Sequence, residues 1–300
     1  MRKRIAALSL IVCFCAALLA GCAKESASAV EGWPDKITIV LMPDENNPDA
    51  GQKNENFRKA MEEHLGIGVE VMTSFEYSVG IEAMRAGNLE VLIVSPMSYY
   101  HAKTLANIEP LVTTLAMGAE PYKTVFIVRA DNTDIYSLED LRGVTFAFVD
   151  PASSSGFMYP KAKLIVDLGL DADQLERPGY FFETVTYSGK HDFSVTGVMM
   201  GDYEAAAVGL PVLGQMQDAG LIEMSDFRIV GETDEIPNAC FVARAELPRD
   251  LKDTLLDFFI AYDEAEYFEQ LYRNPDIRYI RAYESDYDVV DEMVRLLNIE

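Results

Sequence analysis

Of the four cysteines in this 300-residue chain, only Cys240 lies beyond residue 22. A domain with one cysteine has no internal disulfide and must rely on an apolar core. Basic residues are also scarce: 25 Lys and Arg face 49 Asp and Glu, a formal charge of −24. No basic stripe exists to neutralise phosphates, which excludes nucleic acid as a partner. The three histidines, His64, His101 and His191, lie far apart in the sequence. Neither H-E-x-x-H nor G-x-S-x-G occurs, so an enzyme of the usual hydrolase kinds finds no support. The absence of G-x-x-x-x-G-K-[ST] argues against a nucleotide site. Nothing calls for a metal or a cofactor, and there is no internal repeat.

What is present begins at the N-terminus. Arg2, Lys3 and Arg4 precede an apolar stretch over residues 5–20, followed by Leu19-Ala20-Gly21-Cys22. The stretch is short for a membrane span and reads as an export signal, residues 1–21. Its last four residues resemble the lipobox of bacterial lipoproteins, which implies cleavage before Cys22 and diacylation of that cysteine. An ordinary signal peptide with an incidental cysteine is the alternative. Residues 22–35 then form a lipidated tether to the bilayer, since two acyl chains anchor firmly where one does not. Cleavage removes three basic residues, leaving 22 against 49 acidic ones, a formal charge of −27. The location expected is extracytoplasmic, on the bacterial cell membrane.

The remainder alternates strand-like and helix-like segments, the pattern of an α/β protein. Strands are expected at residues 36–42, 69–73, 91–94, 124–129, 144–149, 183–187, 205–208, 227–230 and 240–243. Helices are expected to about residue 65, over 77–86, from 96, over 192–200, over 250–271 and over 288–297. At roughly 265 residues beyond the tether, a single core tends to divide into two. Lobe one is expected from 36–129 plus 231–300, and an inserted lobe two from 130–230.

Residues 148–160, FVDPASSSGFMYP, are the most informative stretch. A buried strand stops at Asp150-Pro151, three hydroxyls and a glycine follow, and a helix begins. That order brings free backbone N–H groups, the hydroxyls of Ser153, Ser154 and Ser155, and a positive helix end to one point. Such a cradle suits an oxyanion; a flexible polar turn is the bland alternative. His191, after Ser188-Gly189, stands at another helix start, whereas His64 and His101 read as ordinary helix positions.

These segments resemble the PhnD-type phosphonate, phosphite and phosphate binding proteins of ABC importers, from about residue 36 to 300. Residues 148–160 are similar to the family's D-P-x-S-T-S-G-x-x-x-P loop, with Ser154 where Thr is usual. Ser95-Pro96-Met97-Ser98-Tyr99 is similar to its G-P-x-S-Y turn, with Ser for Gly. Residues 77–87, 191–208 and 287–290 carry further likeness. The resemblance implies a two-lobed type II periplasmic-binding-protein fold, each lobe a mixed sheet flanked by helices, with the ligand in the interlobe cleft. It implies a small phosphorus oxyanion as ligand and an ABC permease as partner, with the receptor a monomer. By position it implies that Ser153, Ser154 and Ser155 hold the anion and that His191 donates a further bond. Tyr77, Ser95 and Tyr99 then approach from the other lobe.

Each contact has a structural alternative. Tyr77 and Tyr99 at helix starts suit packing, and Tyr100 stands beside Tyr99 as a substitute. Ser95 and Ser98 suit capping of the helix that begins with Pro96. Residues 44–48 (DENNP) end a strand on the side where α/β folds bind ligands, although a solvated turn is preferred. A ligand-presenting signalling ectodomain and a binder of another organic anion, such as a sulfonate, remain rival functions.

Overall fold

The computed structural model describes residues 30–41, 50–73, 76–115, 122–272 and 274–299. The expected export signal, Cys22 and the expected turn at 44–48 lie outside them. Six strands build the first sheet: β1 (Lys36–Leu41), β2 (Gly68–Thr73), β3 (Val91–Val94), β4 (Ile108–Leu115), β10 (Cys240–Arg244) and β11 (Arg278–Arg281). Five build the second: β5 (Thr124–Arg129), β6 (Thr145–Phe148), β7 (Thr184–Tyr187), β8 (Ala205–Gly209) and β9 (Phe227–Glu232). The helices of the first part are α1 (Ala50–Leu65), α2 (Tyr77–Arg85) and α3 (Pro96–Leu105). Those of the second are α4 (Tyr159–Leu168), α5 (His191–Met200) and α6 (Leu210–Asp218). The chain then returns to the first part for α7 (Arg249–Ala261), α8 (Ala265–Tyr272) and α9 (Asp288–Leu296).

Strand orders are β11-β4-β10-β3-β1-β2 and β7-β6-β8-β5-β9. β1 runs parallel to β2 and β3, and β6 parallel to β7 and β8, whereas β10 and β5 pair antiparallel. Both sheets are covered on both faces, and period-two alternation decides which side chain goes where. Phe126, Val128, Phe146, Phe148, Ala205 and Ala207 enter one core of the second lobe. Val125, Ile127, Ala147, Ala206 and Val208 enter the other, against Val195, Val198 and Leu213. In the first lobe Ile37, Ile39, Val91 and Phe241 face one side, and Val40, Leu92, Val94 and Val242 the other.

The lobe boundaries differ from those expected. β5 and β9 belong to the second sheet, so the crossings precede residue 124 and follow residue 232. Two elements escaped the sequence reading, β11 and β4. The β4 segment contains Pro110, which argues against a strand interior. The sheet accommodates it: the register with β10 shifts between Phe241 and Val242, pairing them with Val112 and Pro110. Leu111 becomes the extra residue of a bulge. The α6 helix was also unassigned, and the single helix expected over 250–271 is two. Tyr262 breaks it with an extended backbone, φ −73° and ψ 115°. The break turns α8 so that Tyr267 stacks on Phe57, with ring centroids 5.0 Å apart, and Tyr262 meets the same ring edge-on at 5.2 Å.

Phe57 is fully buried at the centre of this aromatic cluster, also touching Phe258 and Phe259. Phe57→Ala is therefore expected to cost about 3–5 kcal/mol, read as a lowered denaturation midpoint at unchanged slope. A loss below 1 kcal/mol would show that the cluster does not support the first lobe.

Candidate functional site

The described segments that follow the parallel strands β3 and β6 meet across the lobes, and those after β7 and β8 join them there. Ser95 follows β3, Ser153 to Ser155 follow β6, His191 opens α5 after β7, and Gly209 ends β8.

Local forces shape the serine loop. Ser153 has extended backbone, φ −86° and ψ 129°, and its Oγ accepts from the Gly156 N–H at 3.0 Å as an N-cap. The next turn, Ser154–Met158, is wound as π-helix, with the Met158 N–H donating to the Ser153 carbonyl at 3.1 Å. π-turns recur at functional sites because they re-aim side chains. Pro160 sits in the first turn of α4 and has no N–H to offer the Gly156 carbonyl. That carbonyl instead accepts from the Val149 N–H at 2.9 Å, folding the loop back onto β6. Gly156 is required by this approach, since a Cβ there would lie 2.3 Å from the Val149 Cβ.

All three serines are buried, at 1%, 0% and 1% exposure, so none is a solvated turn residue. Ser154 Oγ accepts from the Met97 N–H at 2.8 Å and donates to Ser95 Oγ at 3.0 Å, which joins the lobes. Ser98 Oγ donates to the Ala152 carbonyl at 2.8 Å, also across the cleft. Tyr77 packs with Val149 and Ala152 in a small buried cluster between the lobes. Ser95 also caps α3, accepting from the Ser98 N–H at 3.4 Å. Tyr99 goes elsewhere: its ring lies 4.6 Å from that of Tyr287, within the first lobe's core. Its contact is therefore packing, and the hydrogen bonds to the serine loop come from Ser95, Met97 and Ser98.

Around Ser155 the polarity of the bonds is fixed. The Gly209 N–H can only donate, and it donates to His191 Nδ1 at 3.1 Å. Nδ1 is therefore bare, the proton resides on Nε2, and His191 donates to Ser155 Oγ at 3.1 Å. Tyr122 O–H donates to the same Oγ at 2.6 Å, while Thr124 Oγ1 donates to the Ser155 carbonyl at 2.7 Å. Having accepted twice, the Ser155 hydroxyl still has its own proton to give. This is the wrong tautomer for catalysis, because a general base needs a bare Nε2 toward the serine.

Tyr122 and Thr124 were not identified from sequence. Tyr122 lies in the crossing between the sheets, where its position follows from the tertiary path alone; its only sequence signal is an aromatic beside Pro121 at a strand start. Burial pushes the His191 pKa down to about 4, so the ring donates as a neutral group. Burial raises the Asp150 carboxyl, and lowers His101 against an opposing pull from Asp150. Among the described residues no group of three His, Cys, Asp or Glu is placed to hold a metal ion.

Comparison with known proteins places the chain. Residues 39–287 match the family of phosphonate periplasmic substrate-binding proteins of ABC transporters. The phosphate-import protein PhnD of Mycolicibacterium smegmatis is 31% identical over 268 residues, spanning 85% of this chain and 82% of that protein. A binding-protein component of an ABC phosphonate transporter from Pseudomonas aeruginosa shares the fold, with TM-score 0.77 and 19% identity over 88% of this chain and 86% of that one. PhnD1 from Prochlorococcus marinus, solved with methylphosphonate, superposes with TM-score 0.75 and 19% identity over 88% of this chain and 99% of that one. The chain belongs to the phosphonate-type periplasmic substrate-binding proteins of ABC transporters. The family is one of transport receptors and not of enzymes, which implies an extracytoplasmic location, a small ligand and a membrane permease as partner.

The buried neutral histidine makes a prediction. Its folded pKa of about 4 lies below the ordinary 6.5, so between these values the unfolded chain binds a proton that the folded chain refuses. Stability therefore falls as pH falls through that window, by up to about 3 kcal/mol from this residue. His191→Gln should flatten the dependence of unfolding free energy on pH between 6.5 and 4. An unchanged slope would contradict the assignment.

Proposed function

We propose that this protein is a lipid-anchored receptor that captures a small phosphorus oxyanion and delivers it to its permease. Phosphate, phosphite and short alkylphosphonates are the ligands intended. The observation that carries this reading is the burial of neutral donors where the two lobes meet, centred on Ser155, whose hydroxyl accepts from Tyr122 and His191 and keeps its own proton. Hydrogen bonds to an ionised acceptor are stronger than neutral ones, and donors held in place need no reorganisation. Neutral donors also suit a chain whose overall field repels anions, because that field is screened within roughly 10 Å. Ser153, Ser154, Ser155 and His191 form the second-lobe wall, with Tyr122 beside them; Tyr77 and Ser95 form the first. Contacts from both walls favour the closed state, which the permease then recognises.

The relatives support a phosphorus oxyanion: one imports phosphate by name, and one was solved with methylphosphonate. A cationic tail on the ligand fits less well. The segment at 209–212 carries no acid, nor does Pro237-Asn238-Ala239. Asn238 is occupied, with its amide donating to the Thr114 carbonyl at 3.1 Å and its own carbonyl accepting from Tyr287 at 3.1 Å. Calorimetry should find phosphate, phosphite or methylphosphonate bound more tightly than 2-aminoethylphosphonate. The reverse order, or tighter binding of an alkylsulfonate than of all three, would sink this assignment.

The lipid anchor rests on Leu19-Ala20-Gly21-Cys22. Expressed in a bacterial host, the wild type should partition into the detergent phase and Cys22→Ser into the aqueous phase. Equal partitioning would remove the anchor from the proposal.

A further inference from the structure

A single line of hydrogen bonds passes back and forth across the cleft. The Met97 N–H donates to Ser154 Oγ at 2.8 Å, and the Ser154 hydroxyl donates to Ser95 Oγ at 3.0 Å. Ser95 donates to Ser98 Oγ at 3.2 Å, and Ser98 donates to the Ala152 carbonyl at 2.8 Å. The line begins at a group that can only donate and ends at one that can only accept, so its direction is fixed throughout. Three of its four bonds join one lobe to the other. Along the line each hydroxyl accepts from one neighbour and gives to the next, with Ser95 also accepting from the Ser98 N–H, an arrangement in which neighbouring bonds reinforce each other.

We propose that Ser98 is a positioning residue for ligand capture, which latches the lobes through the Ala152 carbonyl without touching the ligand. The proposal rests on the closure reading above. Ser98 is 1% exposed and its hydroxyl proton is committed to Ala152, so it has none left for an anion. The Ala152 carbonyl is buried when the lobes meet and reaches water when they part. Removing Ser98 Oγ therefore leaves an unpaired acceptor in the closed state only, and shifts the balance toward opening. An affinity that depends on the closed fraction falls in proportion, whatever the ligand. A residue gripping the anion would instead change the ranking of ligands.

The test joins affinity to lobe separation. Spin labels at Leu105→Cys on α3 and Met200→Cys on α5 report the distance between lobes, since both sites are exposed and Cys240 is buried. In that background Ser98→Ala should shift the distance distribution toward the longer, open population, with or without added methylphosphonate. By calorimetry, Ser98→Ala should weaken phosphate, phosphite and methylphosphonate by a common factor, about tenfold. Ser98→Thr, which keeps the hydroxyl, should restore most of the loss in both measurements. An unchanged distance distribution in Ser98→Ala, or losses that differ between ligands by more than threefold, would overturn the proposal. If the wild type binds none of the three anions, the functional reading fails by itself, and the distances still decide the latch.

Discussion

The cleft depends on one exchange of backbone partners. Pro160 withholds the N–H that would close the first turn of α4 onto the Gly156 carbonyl. The Val149 N–H takes that carbonyl instead, at 2.9 Å, and so ties the loop to the end of β6. Gly156 permits the approach because it carries no Cβ. Ser153 then caps the turn, Ser154 turns toward the first lobe and Ser155 toward His191. Change any one of these and the three hydroxyls no longer share a site.

The same region reconciles two opposed electrostatic demands. The sequence carries a formal charge of −24, yet the family's ligands are anionic. A lysine or arginine at the site would attract the anion strongly but would bring its own desolvation cost on burial. Hydroxyls, amides and a neutral imidazole avoid that cost. The fixed tautomer of His191 matters here, because the Gly209 N–H compels Nε2 to donate. The serine and histidine pair thereby fits the proposed role of a binding element, and its geometry, 3.1 Å apart, is not that of a nucleophile with its base.

Much of this was legible in the residues. Continuous apolar runs in β5, β6 and β8 mark strands covered on both faces, and the hydroxyls at 153–155 stand at a strand-to-helix change. Other parts were hidden for physical reasons. Pro110 disguises β4, which survives through a bulge at Leu111. Asp263 and Glu264 are compatible with helix, so the break at Tyr262 is set by packing on Phe57. Tyr122 meets Ser155 only because the chain crosses between sheets, a tertiary fact that local sequence does not encode. Of the neighbours Tyr99 and Tyr100, which one faces the core depends on helix rotation, and Tyr99 does.

Capture of an oxyanion by neutral donors between two lobes is tested most directly by a crystal structure grown with methylphosphonate. The account predicts tetrahedral density in the cleft, with one oxygen within about 3 Å of Ser155 Oγ. It also predicts protein contacts from both lobes. Density bound to one lobe only, or remote from the serine loop, would contradict it.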